Sequence, residues 1–142
     1  MSEKVLLVDD ETEFLESLSE RMSMRGMNVS TADTPASAMR AVEAESYDAI
    51  VLDLQMPEMN GIDLLKFIRE KHPEMQVILL TGHATLEKGV QAMKLGAMDF
   101  MEKPADIDVL TEKIKKAQAR KLVLVEKMTE DKIREIMTTK GW

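Results

Sequence analysis

The sequence predicts an α/β fold built on a parallel sheet, and two observations carry that expectation. Five short apolar runs rich in branched residues alternate with five longer stretches of helical period. The first, third and fourth runs are apolar throughout rather than alternating, as strands covered by helices on both faces are.

The first run, Val5 to Val8, is followed by a helical stretch that stops at Gly26, a residue suited to a helix end. The second run is Met27 to Ala32. Thr34-Pro35 then reads as an N-cap with proline in the first turn of the next helix. The third and fourth runs are Ala49 to Leu52 and Val77 to Leu80, and Gly96 marks a further helix stop ahead of the fifth run, Met98 to Met101. Asp106 can cap the last helix of the body. The connections are short, which predicts a compact domain. There is no internal repeat and no Gly/Ser linker, so the one candidate boundary lies near Arg120, where the charge changes sign. This divides the chain into a body, residues 1–120, and a helical extension or linker, residues 121–142.

Composition narrows the function classes. With 44% apolar and 32% charged residues, the 142-residue chain has the balance of one globular domain rather than of a disordered segment. No apolar run approaches the ~20 residues that cross a bilayer, and the start lacks the pattern of a signal peptide. A cytoplasmic protein without a membrane partner is expected. The absence of cysteine removes thiol catalysis and cysteine metal sites. Residues 1–112 carry 10 Lys+Arg against 22 Asp+Glu, whereas residues 113–142 carry 9 against 4. An acidic body argues against direct nucleic-acid binding by that body. The basic extension is interleaved with Glu126, Glu130, Asp131 and Glu135, which suits a solvated or partner-facing helix.

In an open parallel sheet, ligands bind beyond the carboxyl ends of the strands. Those positions hold Asp9, Asp10 and Glu11 after the first run, Asp53 after the third, Thr81 and Gly82 after the fourth, and Lys103-Pro104 after the fifth. Carboxylates converging at one edge repel one another unless a cation neutralises them, and an all-oxygen set suits a hard ion such as Mg²⁺. A carboxylate, a hydroxyl, a lysine and Mg²⁺ around one point are the parts that handle a transferring phosphoryl group. Asp53 would be the nucleophile, Lys103 a neutraliser of phosphoryl oxygens and Thr81 a hydrogen-bond donor. Taken singly, each feature has a plainer reading: Asp9-Asp10 as a turn and cap, Thr81-Gly82 as a turn, Lys103-Pro104 as a loop. Only together do they point to chemistry.

The runs Val5-Leu6-Leu7-Val8-Asp9-Asp10-Glu11, Leu52-Asp53-Leu54-Gln55-Met56-Pro57 with Asn60-Gly61, Leu80-Thr81-Gly82-His83, and Gly96-Ala97-Met98-Asp99-Phe100 with Lys103-Pro104 resemble the receiver domain of bacterial two-component response regulators. The style is closest to receivers joined to ATPase and DNA-binding output domains. The resemblance implies a flavodoxin-like, doubly wound, five-stranded parallel sheet of order 2-1-3-4-5 with five flanking helices. It implies that Asp53 is the phosphoacceptor in a Mg²⁺-dependent reaction, with Asp9, Asp10 and the backbone carbonyl of Gln55 completing the metal site and Lys103 pairing with the phosphoryl oxygens. Thr81 would swing toward the phosphoryl group and Phe100 would turn inward. Lys103-Pro104 would be a cis bond, and Gln55 and His83 would tune the lifetime of the phosphorylated state. The implied partners are a sensor histidine kinase or phosphotransfer protein as donor and a downstream protein that reads a surface on the fourth helix, fifth strand and fifth helix. The protein would then be a signalling switch that catalyses only its own phosphorylation and dephosphorylation.

The extension adds a question of its own. Ile107, Leu110, Ile114, Ala117, Lys121, Leu124 and Met128 follow a 3,4 spacing, which predicts a helix continuing as a short coiled-coil seam interrupted by Lys121. Thr129 followed by Glu130 and Asp131 reads as a fresh helix start, with Ile133, Ile136 and Met137 as its apolar stripe. Folding back over the domain and homodimerisation are both open for this segment. No output domain is recognisable in the sequence, which fits either a stand-alone receiver or a piece of a longer regulator. Among competing functions, a dehalogenase-like phosphatase would need an aspartate where Gln55 stands. A flavin-binding protein would need a phosphate loop where acidic Asp9-Asp10-Glu11 stands. An unphosphorylated pseudo-receiver acting as a dimerisation module is the main alternative, and the joint presence of Asp9, Asp10, Asp53, Thr81 and Lys103 argues against it.

Overall fold

The computed structural model describes residues 2–56, 61–82 and 86–139. Among these, strands and helices alternate as β1 Lys4–Val8, α1 Thr12–Met24, β2 Asn28–Ala32, α2 Pro35–Ala44, β3 Ala49–Leu52, α3 Gly61–Lys71, β4 Gln76–Thr81, α4 Leu86–Lys94, β5 Asp99–Glu102 and α5 Ile107–Thr139. The sheet order is β2-β1-β3-β4-β5 with every pair parallel, as the resemblance implies.

Successive side chains of a strand point to opposite faces, and this divides the core into two layers. Val5, Leu7, Val51, Ile78 and Leu80 pack with Leu15, Leu18 and Met22 of α1 and with Leu110, Ile114 and Ala117 of α5. Leu6, Val8, Ile50, Leu52, Val77 and Leu79 pack with α2, α3 and α4, through residues such as Val42, Leu64, Ile68 and Ala92. All residues of β3 and β4 are buried, which explains why those runs carry no polar alternation. Each buried Leu or Ile contributes roughly 1.5–3 kcal/mol.

The punctuation forms as its chemistry dictates. Thr34 Oγ1 accepts from the Ser37 amide at 3.1 Å while the Ser37 hydroxyl accepts from the Thr34 amide at 3.2 Å, closing a capping box at α2. Asp106 accepts from the amides of Asp108 and Val109 at the start of α5. Gly26 and Gly96 end their helices at φ of 85° and 108°, where a side chain would be strained. The second and fifth strands each begin one residue later than the apolar runs suggest. Buried Met27 precedes β2, and Met98 precedes β5 while already donating to the Val77 carbonyl. Hydrophobicity marks burial, which extends past the paired residues.

The extension departs from expectation. Helix α5 runs unbroken from Ile107 to Thr139, so the fresh start at Thr129 does not occur. The Thr129 hydroxyl instead donates to the Val125 carbonyl at 2.9 Å, a bond available to threonine within a helix. The seam also differs. Leu110, Ile114 and Ala117 are consumed by the chain's own core, and Lys121 reaches Asp48 at 3.6 Å rather than facing a partner. Asp48 also accepts from the Lys4 amide and the Gln118 side chain, so it ties the exit of α5 to the sheet edge below β1 and β3. From residue 122 onward the helix is exposed except for half-buried Leu124, and it does not fold back on the body. No helix among the described residues is long and apolar enough to cross a membrane.

Candidate functional site

Among the predicted site residues within the described segments, Asp9, Asp10, Asp53, Gln55, Thr81, Lys103 and Pro104 sit at the carboxyl edge of the sheet or in the loops leaving it, whereas Phe100 lies within β5, paired with Leu79. Pairing of β1 with its two neighbours extends past its last residue. The Asp9 amide donates to the Ala32 carbonyl at 3.2 Å, and the Asp53 amide donates to the Val8 carbonyl at 2.9 Å. The same ladder therefore fixes the two aspartates side by side. Asp9 and Asp53 are buried and Asp10 is exposed, and all three offer carboxylate oxygens within 4.8 Å of one another.

Each buried carboxylate is tied to its own loop. Asp9 Oδ1 accepts from the Glu11 amide at 2.9 Å, and Asp53 Oδ1 accepts from the exposed Gln55's amide at 3.1 Å. The turn after β3 is held from the other side by Gly61, whose amide donates to the Leu54 carbonyl. A Cβ at Gly61 would lie 2.5 Å from the Leu54 Cα, so only glycine permits this approach.

Lys103 comes from the far side of the sheet. Its amide donates to the Thr81 carbonyl at 2.8 Å, extending the β4–β5 pairing, and the Lys103–Pro104 bond is cis. Its Nζ lies 2.7 Å from Asp9 Oδ2, 3.1 Å from Glu11 Oε1 and 3.5 Å from Asp53 Oδ2. The Phe14 ring, from the first turn of α1, lies beneath it with its centroid at 4.5 Å. Thr81 is fully buried at the end of β4, in register with Glu102. Phe100 is half-buried against the α4 side of the core and close to Gly89. His83 lies outside the described residues, as do Pro57, Met59 and Asn60.

The electrostatics follow from burial and crowding. Burial pushes the Asp53 carboxyl up to about 6, and the charges of Asp9 and Asp10 add to the rise. The Gln55 amide and Lys103 only partly offset it. Lys103 behaves oppositely. Burial alone would lower its pKa, but the hydrogen bond to Asp9 and the charges of Asp53 and Asp9 outweigh burial and raise it. The ammonium is shared among three carboxylates, so Asp53 receives too little of it to recover an ordinary acidity. Among the described residues, one cation for four nearby carboxylates leaves net negative charge, and the donors are all oxygen, so the site fits a hard divalent ion.

Two contacts were not expected. In the sequence Glu11 reads only as part of an acidic cluster, whereas in the fold it reaches Lys103 from the rim. Phe14 was not singled out at all. The only signal in the sequence is an aromatic residue in the first turn of the helix that leaves the acidic loop, which does not say which way the ring faces.

Comparison with known proteins agrees with this geometry. The family model described as the response regulator receiver domain matches residues 5–115. The photosynthetic apparatus regulatory protein RegA of Cereibacter sphaeroides is 36% identical over 107 residues, which make up 75% of this chain and 58% of that protein. The C4-dicarboxylate transport transcriptional regulatory protein DctD of Pseudomonas aeruginosa is 35% identical over 85% of this chain but only 26% of its own length. A crystal structure of a response regulator receiver domain protein from Clostridium thermocellum superposes with a TM-score of 0.81 at 33% identity, covering 87% of this chain and 99% of that one. The chain belongs to the response regulator receiver domain family.

Proposed function

We propose that this chain is a phosphorylatable switch in which Asp53 accepts a phosphoryl group from a sensor histidine kinase or phosphotransfer protein in a Mg²⁺-dependent reaction. The reading is carried by the convergence of Asp9, Asp10 and Asp53 within 4.8 Å, with the Lys103 ammonium between Asp9 and Asp53. Asp9, Asp10, Asp53 and the Gln55 carbonyl would hold Mg²⁺, which when bound supplies positive charge against the phosphoryl oxygens.

Asp53 forms the new P–O bond as the donor's P–N bond breaks, or its P–O bond when the donor is acetyl phosphate, and the leaving group takes the electron pair. A carboxyl with a pKa of about 6 is mostly ionised at neutral pH, and burial leaves it poorly solvated, so it is a ready nucleophile. Lys103 turns from the aspartates to a phosphoryl oxygen. The Thr81 hydroxyl donates to another, and Phe100 turns inward as Thr81 moves. Gln55 and His83 tune the lifetime of the product. The switched surface is α4, β5 and α5, where a downstream protein binds. The body comprises residues 1–120, contacts no nucleic acid directly, and is followed by the 121–142 extension, through which two copies pair. The cytoplasm is the fitting location.

The test is an intact-mass measurement. The purified chain is incubated with Mg²⁺ and acetyl phosphate, quenched in acid and compared with Asp53→Asn. One phosphoryl adduct that needs both Mg²⁺ and Asp53 is expected. An adduct of equal yield on Asp53→Asn would overturn the assignment, and none on wild type would favour the pseudo-receiver.

A further inference from the structure

We propose that Phe14 is a positioning residue for Lys103: its ring face, 4.5 Å from Nζ, keeps the ammonium over the site when the aspartates take up a metal ion. The inference deepens the phosphotransfer reading and rests on it.

The partners of Lys103 fall into three kinds. Asp9 and Asp53 attract it strongly at 2.7 and 3.5 Å, but both belong to the acidic cluster that fits a divalent cation. A carboxylate shared with a divalent ion has little charge left for an ammonium, so this attraction weakens when charge transfer to phosphorus must begin. Glu11 lies outside that cluster, but it is exposed and reaches in from the rim at 3.1 Å, so it draws the ammonium outward. The Phe14 ring is of a third kind. Its attraction comes from the quadrupole of the ring face and is not cancelled by a cation bound to the aspartates.

The ring is also held in place. Phe14 is half-buried and packs on the core layer that contains Leu7, Leu15, Leu18, Val51 and Leu80, so one edge is anchored while the face meets Lys103. The Lys103 side chain is only 17% exposed, and a partly desolvated ammonium gains more from such a face than an exposed one does. An aliphatic residue would fill the same volume without attracting charge.

Two measurements test this. The first uses Mg²⁺ alone. In the proton NMR spectrum the ε-methylene of Lys103, identified by its absence from Lys103→Met, should be shifted upfield by the ring current. The shift should persist at saturating Mg²⁺, vanish in Phe14→Leu and return in Phe14→Tyr. The second is the phosphorylation rate with acetyl phosphate at saturating Mg²⁺. Phe14→Leu should be slower by about three- to tenfold and Phe14→Tyr within about twofold of wild type. In a Lys103→Met background, Phe14→Leu should add less than about a twofold effect. The half-saturating Mg²⁺ concentration should not move. Loss of the upfield shift on adding Mg²⁺ overturns the inference, as does a Phe14→Leu rate equal to wild type. A wild-type chain that acquires no phosphoryl group defeats the phosphotransfer reading instead, and the Mg²⁺-only spectrum still decides whether Phe14 holds Lys103.

Discussion

Lys103 lies closer to Asp9 than to Asp53, at 2.7 Å against 3.5 Å, although Asp53 is the residue proposed to react. Without metal the lysine therefore acts as an internal counter-cation, shared among Asp9, Glu11 and Asp53. Removing it leaves a buried acidic pair with no neutralising charge. In EDTA at pH 7, Lys103→Met is expected to lose about 1–3 kcal/mol in urea denaturation. Mg²⁺ should then stabilise the variant more than the wild type, because no ammonium competes for the aspartates. Equal gains from Mg²⁺ in both proteins would contradict the competition.

The raised pKa of Asp53 makes a pH prediction. Its folded value is about 6 against an ordinary 3.8, so the folded state binds this proton more tightly than the unfolded state does. Below the ordinary value both states are protonated and the group has no effect. As pH rises through the interval between the two values, the unfolded state ionises first and stability falls. Above about 6 the loss is complete, of the order of 2–3 kcal/mol. In metal-free buffer Asp53→Asn should therefore be more stable than wild type at pH 7.5, and that advantage should fade toward pH 4. Chemical denaturation across this range checks it, and a pH-independent difference would point to packing instead.

How much of this was legible in the sequence depended on which residues had to meet. The strand ends were readable because the runs Val5 to Val8, Ala49 to Leu52 and Val77 to Leu80 are apolar throughout, so Asp9, Asp53 and Thr81 stand out as the first polar residues after them. Their convergence follows from a parallel sheet, in which all carboxyl ends share one edge. The Phe14–Lys103 contact was not readable, since it depends on the rotation of α1 about its axis, which packing of Leu15 and Leu18 decides. The occupant of the apolar face of α5 is hidden from the sequence for a related reason. A 3,4 spacing identifies an apolar face but not its occupant, and the sheet occupies the face carrying Leu110, Ile114 and Ala117.

Gly61 offers a purely steric test. Its missing side chain lets α3 start against the Leu54 backbone, in the turn that follows Asp53. In Gly61→Ala a methyl group would meet backbone atoms that cannot rotate away, at a cost of about 2 kcal/mol or more. The displaced turn carries Leu54 and Gln55, so the Asp53 to Gln55 hydrogen bond should loosen with it. The expected result is a lower melting temperature together with faster amide exchange at Gln55. A variant of wild-type stability would show that the turn has room to move.

The exposed part of α5 supplies a test of the proposed pairing of two copies. Lys121 continues the body-facing side, and Leu122 and Val125 line with it and Asp48 the groove where the helix leaves the body. Leu122 and Ile133 are eleven residues apart, as are Val125 and Ile136, and all four are exposed. An eleven-residue spacing keeps them on one side of a nearly straight helix, unlike the heptad that supercoils to the left. In the proposed pairing of two copies, this stripe, rather than the 3,4 series ending at Met128, is the expected contact surface. Ile133→Lys with Ile136→Lys should therefore shift the chain from dimer to monomer in sedimentation equilibrium. Leu124→Lys, on the other face, should leave the dimer within about threefold of its original affinity, since substitutions outside the contact change little. Dissociation by Leu124→Lys with no effect of the double change would assign the seam to the opposite face.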